Sequence, residues 1–148
     1  ALPARAVVDF TFEAVDLAIS GAPIEVRMDP GHLYQVATNL CDNALAYGVP
    51  AGATPRIELA IGRRSGTERP YLEVRDRGPG IPATLSEQVF EPFFRAGTDA
   101  TQRGGSGLGL FISRELCEVN RATLQYEPRS GGGAIFRIIF ADPQRWRT

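Results

Sequence analysis

Lysine is absent from this chain of 148 residues, so all sixteen of its Lys and Arg residues are arginines. A Walker A loop, the nucleotide-binding lysine of eukaryotic-type kinases and a Schiff-base lysine all depend on an ammonium group. The lack of lysine excludes these three kinds of site. If the protein binds a triphosphate, arginine guanidinium groups and backbone N–H groups must hold it.

A strong net charge and a long apolar run are also missing. The net charge is −1, which does not indicate a nucleic-acid or anionic-membrane surface. No apolar run approaches the roughly 20 residues that span a bilayer, and we expect no signal peptide. With 43% hydrophobic and 22% charged residues, the composition is that of an ordinary globular protein. We therefore expect one domain over residues 1–148, with no nucleic-acid partner and no direct membrane contact.

Hydrophobic periodicity and turn residues predict the order of helices and strands. Strands are predicted at residues 7–12, 24–28, 57–61, 72–74, 123–127 and 134–140. Helices are predicted at 29–48, with Asp29 as N-cap, and at 107–119, while 81–106 is a long loop and the residues before 7 are a linker. This order predicts an α/β fold, a two-layer α/β sandwich whose mixed, mostly antiparallel sheet carries helices on one face.

Asn39 and Asn43 lie four residues apart on the first predicted helix, and hence on one face at the edge of its apolar stripe. Asparagine is a poor residue for a helix interior, whereas its amide oxygen is a hard ligand that suits Mg²⁺. A pair of solvated or capping amides is the alternative. Tyr47, one turn further on the same side, either packs on a nucleotide or is an ordinary half-buried aromatic residue.

Asp76 follows a predicted strand directly and precedes a turn that contains Gly78 and Gly80. A carboxylate in that position can accept a hydrogen bond from the exocyclic amino group of adenine, which guanine lacks at the six position. The glycines allow the backbone to turn and to approach a ligand closely. A simple Asp-Gly turn without a ligand is the alternative.

Four glycines, at positions 104, 105, 107 and 109, cluster where the second predicted helix begins. They are too dense for a helix interior and suit a helix N-terminus whose N–H groups face phosphate. A flexible hinge is the alternative. Arg95 and Arg103 bracket the preceding loop and can either reach a γ-phosphate or remain solvated.

The three motifs, with Phe90-Glu91-Pro92-Phe93-Phe94-Arg95 between the second and third, resemble the N, G1, F and G2 boxes of sensor histidine kinases. The resemblance covers residues 29–140 and is to the catalytic ATP-binding domain of these two-component kinases, in the GHKL superfamily. It implies a Bergerat-type fold that binds ATP and Mg²⁺, with Asn43 as metal ligand, Asn39 in support, and Asp76 on adenine N6. It also implies catalytic roles for Asn43 and Arg95. The full set of nucleotide-binding residues that it implies is Asn39, Asn43, Tyr47, Asp76, Gly78, Gly80, Ile81, Phe94, Arg95, Arg103, Gly105, Gly107, Leu108 and Gly109.

The resemblance also implies partners that the chain itself does not supply. Its one histidine, His32, lacks the sequence context of a phosphoacceptor and is interpreted as structural or surface. We therefore expect the acceptor histidine on a dimerisation domain of the same full-length kinase, with a response regulator downstream. The expected location is cytoplasmic, as part of a membrane-anchored sensor, and the isolated domain is expected to be a monomer without sensor region. Residues 115–118 further resemble nitrogen-regulation and type IV pilus sensor kinases.

Departures from the family pattern keep other interpretations open. Ala46 stands where many relatives have a basic residue, and Ala134 where Thr is usual. The related gyrase, chaperone and mismatch-repair ATPases have a water-activating Glu where this chain has Asn39, which favours phosphoryl transfer over hydrolysis. An anti-sigma-type serine kinase and a non-catalytic nucleotide-binding module remain the alternatives. Cys41 and Cys117 are expected to be buried free thiols rather than a disulfide or a metal pair.

Overall fold

The computed structural model describes residues 3–5, 16–22, 24–47, 52, 56–92 and 108–142. Two α-helices, a 3₁₀ turn and seven strands lie in these ranges. The strands are β1 (Pro3–Arg5), β2 (Asp16–Ser20), β3 (Glu25–Arg27), β4 (Arg56–Arg63), β5 (Pro70–Arg75), β6 (Thr123–Pro128) and β7 (Ala134–Ile139). The helices are α1 (Pro30–Tyr47) and α2 (Gly109–Val119), and the 3₁₀ turn is Ser86–Gln88.

The main sheet has five strands in the order β2-β4-β5-β7-β6. Strands β4, β5, β7 and β6 pair antiparallel, and β2 pairs parallel with β4. Strands β1 and β3 form a separate antiparallel pair. The prediction of a mixed, mostly antiparallel sheet with helices is confirmed.

The inner face of the sheet forms the core with the two helices. Register brings Leu59 opposite Val74, Leu72 opposite Ile138 and Leu124 opposite Ile138, so apolar side chains share that face. Leu40 of α1, Cys117 of α2 and these strand residues are at most 5% exposed and belong to one hydrophobic cluster. Burial of this face supplies the main stabilisation, on the order of 25 cal/mol per Å² of apolar surface.

Ion pairs cover the opposite face of the sheet. Glu73 of β5 is only 5% exposed, and its two carboxylate oxygens accept hydrogen bonds from Arg75 and Arg137 at 2.5 Å. Arg137 also donates to Glu127 of β6 at 2.6 Å. These pairs neutralise a buried carboxylate that would otherwise be costly to desolvate.

Helix α1 begins as the sequence predicts, because Asp29 caps it. The Asp29 carboxylate accepts a hydrogen bond from the His32 N–H at 3.0 Å, which satisfies one free donor of the first turn. The backbone N–H of Asp29 donates to Asn120 Oδ1 at 2.9 Å, so the residue after α2 holds the start of α1 in place. Neither helix of the described ranges has the length and apolarity needed to cross a membrane.

The structure differs from the predicted elements near the beginning of the chain. Residues 3–5, predicted to be part of a linker, form β1, because the extended segment finds a partner in β3. Strand β2 was not predicted, and the predicted strand at 7–12 lies outside the described residues. The predicted loop at 81–106 contains the 3₁₀ turn, and its part from residue 93 onward also lies outside them.

Candidate nucleotide-binding site

The carboxylate of Asp76 is held rigidly where β5 ends. Its Oδ1 accepts hydrogen bonds from the backbone N–H groups of Gly78, at 2.9 Å, and Ala134, at 3.2 Å. Among the described residues, both hydrogen bonds to this side chain end on Oδ1. Burial raises the pKa of Asp76, against the lowering effect of these two N–H groups and of the Arg129 charge. A carboxylate that stays charged in a buried position lowers the stability of the fold. Buried titratable groups of this kind are common at functional sites.

The β6–β7 hairpin contacts the backbone of Asp76. Arg129 donates to the backbone carbonyl of Asp76 at 3.2 Å and also forms an ion pair with Glu58. Burial raises the pKa of Glu58, but the hydrogen bonds and charges of Arg129 and Arg56 outweigh it, so the net pKa is lowered. This role of Arg129 was not predicted, because no motif links it to a residue 53 positions earlier.

The turn after Asp76 is fixed to strand β6. The backbone N–H of Ile81 donates to the Tyr126 hydroxyl at 3.1 Å, and that hydroxyl donates back to the Ile81 carbonyl at 3.4 Å. Gly80 has φ +72°, and a Cβ there would lie 3.0 Å from the Gly133 carbonyl oxygen. The positive φ and this close approach favour glycine at position 80. Gly78 is buried, and its N–H donates to the Asp76 carboxylate.

Asn39 joins the two helices. Its Nδ2 donates to the Gly109 carbonyl at 3.4 Å and to Ser113 Oγ at 3.2 Å, both on α2. Asn43 lies one turn further along α1, and both asparagines are half-buried, which confirms that they edge the core. Tyr47 is the last residue of α1. Asn39 thus contacts Gly109, the last glycine of the run, directly.

Helix α2 begins at Gly109, with Leu108 as N-cap, two residues later than predicted. Asn39 thus joins α1 to the start of α2. The turn from Asp76 to Ile81 is held at the end of β5 by the β6–β7 hairpin. The other predicted nucleotide-binding residues lie outside the described residues and stay predictions: Phe94, Arg95, Arg103, Gly105 and Gly107.

The one histidine and the two cysteines of the chain lie on the two helices. Asn120 Nδ2 lies 3.0 Å from His32 Nδ1, so this ring nitrogen accepts, and the interpretation of His32 as structural is supported. Cys41 and Cys117 are buried and free, as expected. Burial, with the neighbouring charges of Asp42 and Glu118 respectively, raises the pKa of both thiols to about 12. Such thiols are neutral and poorly nucleophilic at physiological pH.

The mixed five-stranded sheet, packed on α1 and α2, has the fold of a Bergerat-type ATP-binding domain. Residues 28–144 match the family described as Histidine kinase-, DNA gyrase B-, and HSP90-like ATPase. The chain belongs to this family. Its relatives are sensor kinases, so within the family it is a catalytic domain of the histidine kinase type.

Among the curated relatives, the sensor protein kinase PilS of Pseudomonas aeruginosa is 43% identical over 129 residues. The alignment covers 87% of this chain and 23% of PilS. The signal transduction histidine-protein kinase AfsQ2 of Streptomyces coelicolor is 35% identical over 126 residues, with 85% of this chain and 22% of AfsQ2 covered. The chain thus spans less than a quarter of the length of these two relatives.

Two solved structures have similar folds. The mycobacterial sensor histidine kinase MprB gives a TM-score of 0.73 at 27% identity, covering 86% of this chain and 83% of that one. Full-length ShkA in complex with AMPPNP gives a TM-score of 0.64 at 27% identity, covering 86% of this chain and 26% of that one. These TM-scores show that the chain shares its fold with both structures.

Proposed function

We propose that this domain binds Mg-ATP and transfers the γ-phosphoryl group to a histidine on the separate dimerisation domain of the same full-length kinase. The observation that carries the proposal is the carboxylate of Asp76, 5% exposed, with Oδ1 held by two N–H groups. A fixed acceptor of this kind discriminates in favour of the adenine amino group and against a guanine carbonyl. The complex of ShkA with AMPPNP, an ATP analogue, supports the choice of ligand.

The amides of α1 fit Mg²⁺. Because Asn39 Nδ2 is bound to α2, its Oδ1 is the atom left for the ligand side, and Asn43 lies one turn further along the same face. Amide oxygens are hard donors that add no negative charge near polyphosphate, and Mg²⁺ takes one or two protein ligands together with phosphates and water. When bound, the ion supplies neutralisation of charge on the transferred phosphoryl group.

The residues of this chain would act by binding and positioning. Asp76 would hold adenine, Asn43 would hold the metal with Asn39 in support, and Arg95 would neutralise charge on the γ-phosphate. A histidine nitrogen of the partner domain would attack the γ-phosphorus while the bond to the β–γ bridging oxygen breaks, which releases ADP. Asn39 cannot act as a base for water, so transfer to a nucleophilic imidazole is favoured over hydrolysis.

The wider setting belongs to the same proposal. The curated relatives are sensor kinases about four times longer than the matched segment. In the proposed setting, a response regulator would receive the phosphoryl group downstream. The domain would act in the cytoplasm as part of a membrane-anchored sensor and would be a monomer when isolated. Serine phosphorylation by an anti-sigma-type kinase is the competing function, and Ala46 and Ala134 are the residues that favour a non-catalytic module.

Phosphotransfer by the full-length kinase that contains this chain tests the proposal. With radiolabelled ATP and Mg²⁺, we expect an acid-labile, base-stable label on the kinase, which is the behaviour of phosphohistidine. Asn43→Ala should reduce the initial rate about a hundredfold or more, because a bound metal supplies several kcal/mol of charge stabilisation.

Gln35→Ala is the matched control, since Gln35 is an exposed amide on the same helix two turns before Asn43. This control should label at the wild-type rate. An acid-stable label on serine would favour the competing kinase, and binding of ATP without any label would favour the non-catalytic module.

A further inference from the structure

Ser113 of α2 is fully buried, and its hydroxyl oxygen lies 3.2 Å from the amide nitrogen of Asn39 on α1. No motif predicts a role for this serine. We propose that Ser113 is a positioning residue that fixes the Asn39 carboxamide with its oxygen toward the nucleotide and metal. The inference rests on the proposed function and adds to it the residue that orients Asn39.

The orientation of the carboxamide follows from the chemistry of its contacts. The carbonyl oxygen of Gly109 can only accept a hydrogen bond, so the atom that faces it at 3.4 Å must be the nitrogen of Asn39. Ser113 Oγ accepts from the same nitrogen. With Nδ2 directed at two acceptors on α2, the planar amide has its Oδ1 on the opposite side, away from these contacts.

Two acceptors on one nitrogen restrict the rotation of the amide more than one does. Without Ser113, only the Gly109 carbonyl would remain, and Asn39 would lose part of its fixed geometry. The contacts of Asn39 with Gly109 and Ser113 also join α1 to the first two turns of α2, where the glycine run ends. Ser113 therefore acts on the nucleotide only through Asn39, whereas a merely structural serine would affect the fold whether or not Asn39 is present.

A double-mutant cycle on Mg-ATP affinity separates these two roles. Calorimetric titration of the wild type, Ser113→Ala, Asn39→Ala and the double variant gives the four dissociation constants. We expect Ser113→Ala to weaken binding about fivefold, the size of one lost hydrogen bond. In the Asn39→Ala background the same change should have no further effect on affinity.

Cys117→Ala is the matched control. Cys117 lies one turn further along α2, is equally buried and loses a single heavy atom on truncation. We expect wild-type affinity for this variant. If Ser113→Ala loses cooperative thermal unfolding, Ser113→Cys replaces it, because it preserves the side-chain shape with a weaker acceptor. We then expect a loss of affinity when Asn39 is present and none in the Asn39→Ala background.

Three results would overturn the inference. Unchanged affinity of Ser113→Ala, or an equal loss in both backgrounds, would overturn it while the proposed function stands. A wild-type chain that fails to bind Mg-ATP would overturn the proposed function and, with it, the inference. That last result is seen before any variant is compared.

Discussion

Asp76→Asn is expected to lose Mg-ATP affinity by about a hundredfold while it unfolds at a higher temperature than wild type at pH 7. Asparagine Oδ1 can still accept from the N–H groups of Gly78 and Ala134, so the local backbone is preserved. Its Nδ2 replaces the second carboxylate oxygen, however, and under the proposed function a donor would then face the amino group of adenine. Buried polar groups left without a partner in this way cost about 1–3 kcal/mol each.

The stability of Asp76→Asn follows from the direction of the pKa shift. Burial raises the pKa of Asp76 in the folded chain, so the ionised group opposes folding at neutral pH, and this cost disappears as the pH falls through the raised pKa. Asparagine removes the cost at every pH. The melting temperature of the variant should therefore exceed that of wild type at pH 7, and the difference should shrink as the pH is lowered.

Asp42→Asn is the control for this prediction, because it makes the same chemical change at an exposed position on α1. It should change neither affinity nor melting temperature. We also expect the preference of Asp76→Asn for ATP over GTP to shrink, since Nδ2 can donate to guanine O6. Wild-type ATP affinity in Asp76→Asn would show that this carboxylate does not recognise the base.

Gly133→Ala is expected to destabilise the domain by about 3 kcal/mol or more. A Cβ at this position would lie 2.1 Å from the carbonyl oxygen of Asp76, and φ is +117°. The Asp76 carbonyl oxygen belongs to the backbone and is not the end of a flexible side chain, so the backbone of β5 or of the hairpin must move. The neighbouring N–H of Ala134, which donates to Asp76, would move with it.

Gly132→Ala provides the comparison. Its φ of +106° is similarly unfavourable for alanine, but a Cβ there meets nothing within 4 Å. We expect a cost of about 1–2 kcal/mol, typical of a left-handed alanine. The difference between the two variants in the free energy of unfolding, measured in urea, isolates the steric clash. Equal costs would contradict the close packing of Gly133 against Asp76.

Local patterns predicted the local structure around the candidate site because the relevant contacts are short in sequence. The cap at Asp29, the shared face of Asn39 and Asn43, and the position of Asp76 after a strand each depend on four residues or fewer. The sheet class followed similarly from two hairpins with clear alternation.

The contacts that hold the site together are long in sequence, and the sequence alone could not predict them. Arg129 reaches Asp76 across 53 positions, Asn39 reaches Ser113 across 74, and Asp29 reaches Asn120 across 91. Each depends on how α1, α2 and the hairpin pack, and no periodicity encodes that packing. The parallel pairing of β2 with β4 was missed for the same reason.

Calorimetric titration of the wild-type chain with ATP and GTP, each with and without Mg²⁺, tests the central claim most directly. We expect a single site that binds ATP, binds it more tightly with Mg²⁺, and prefers it to GTP. Equal affinity for the two nucleotides, or no binding at millimolar concentration, would contradict an adenine pocket built on Asp76 and the two asparagines.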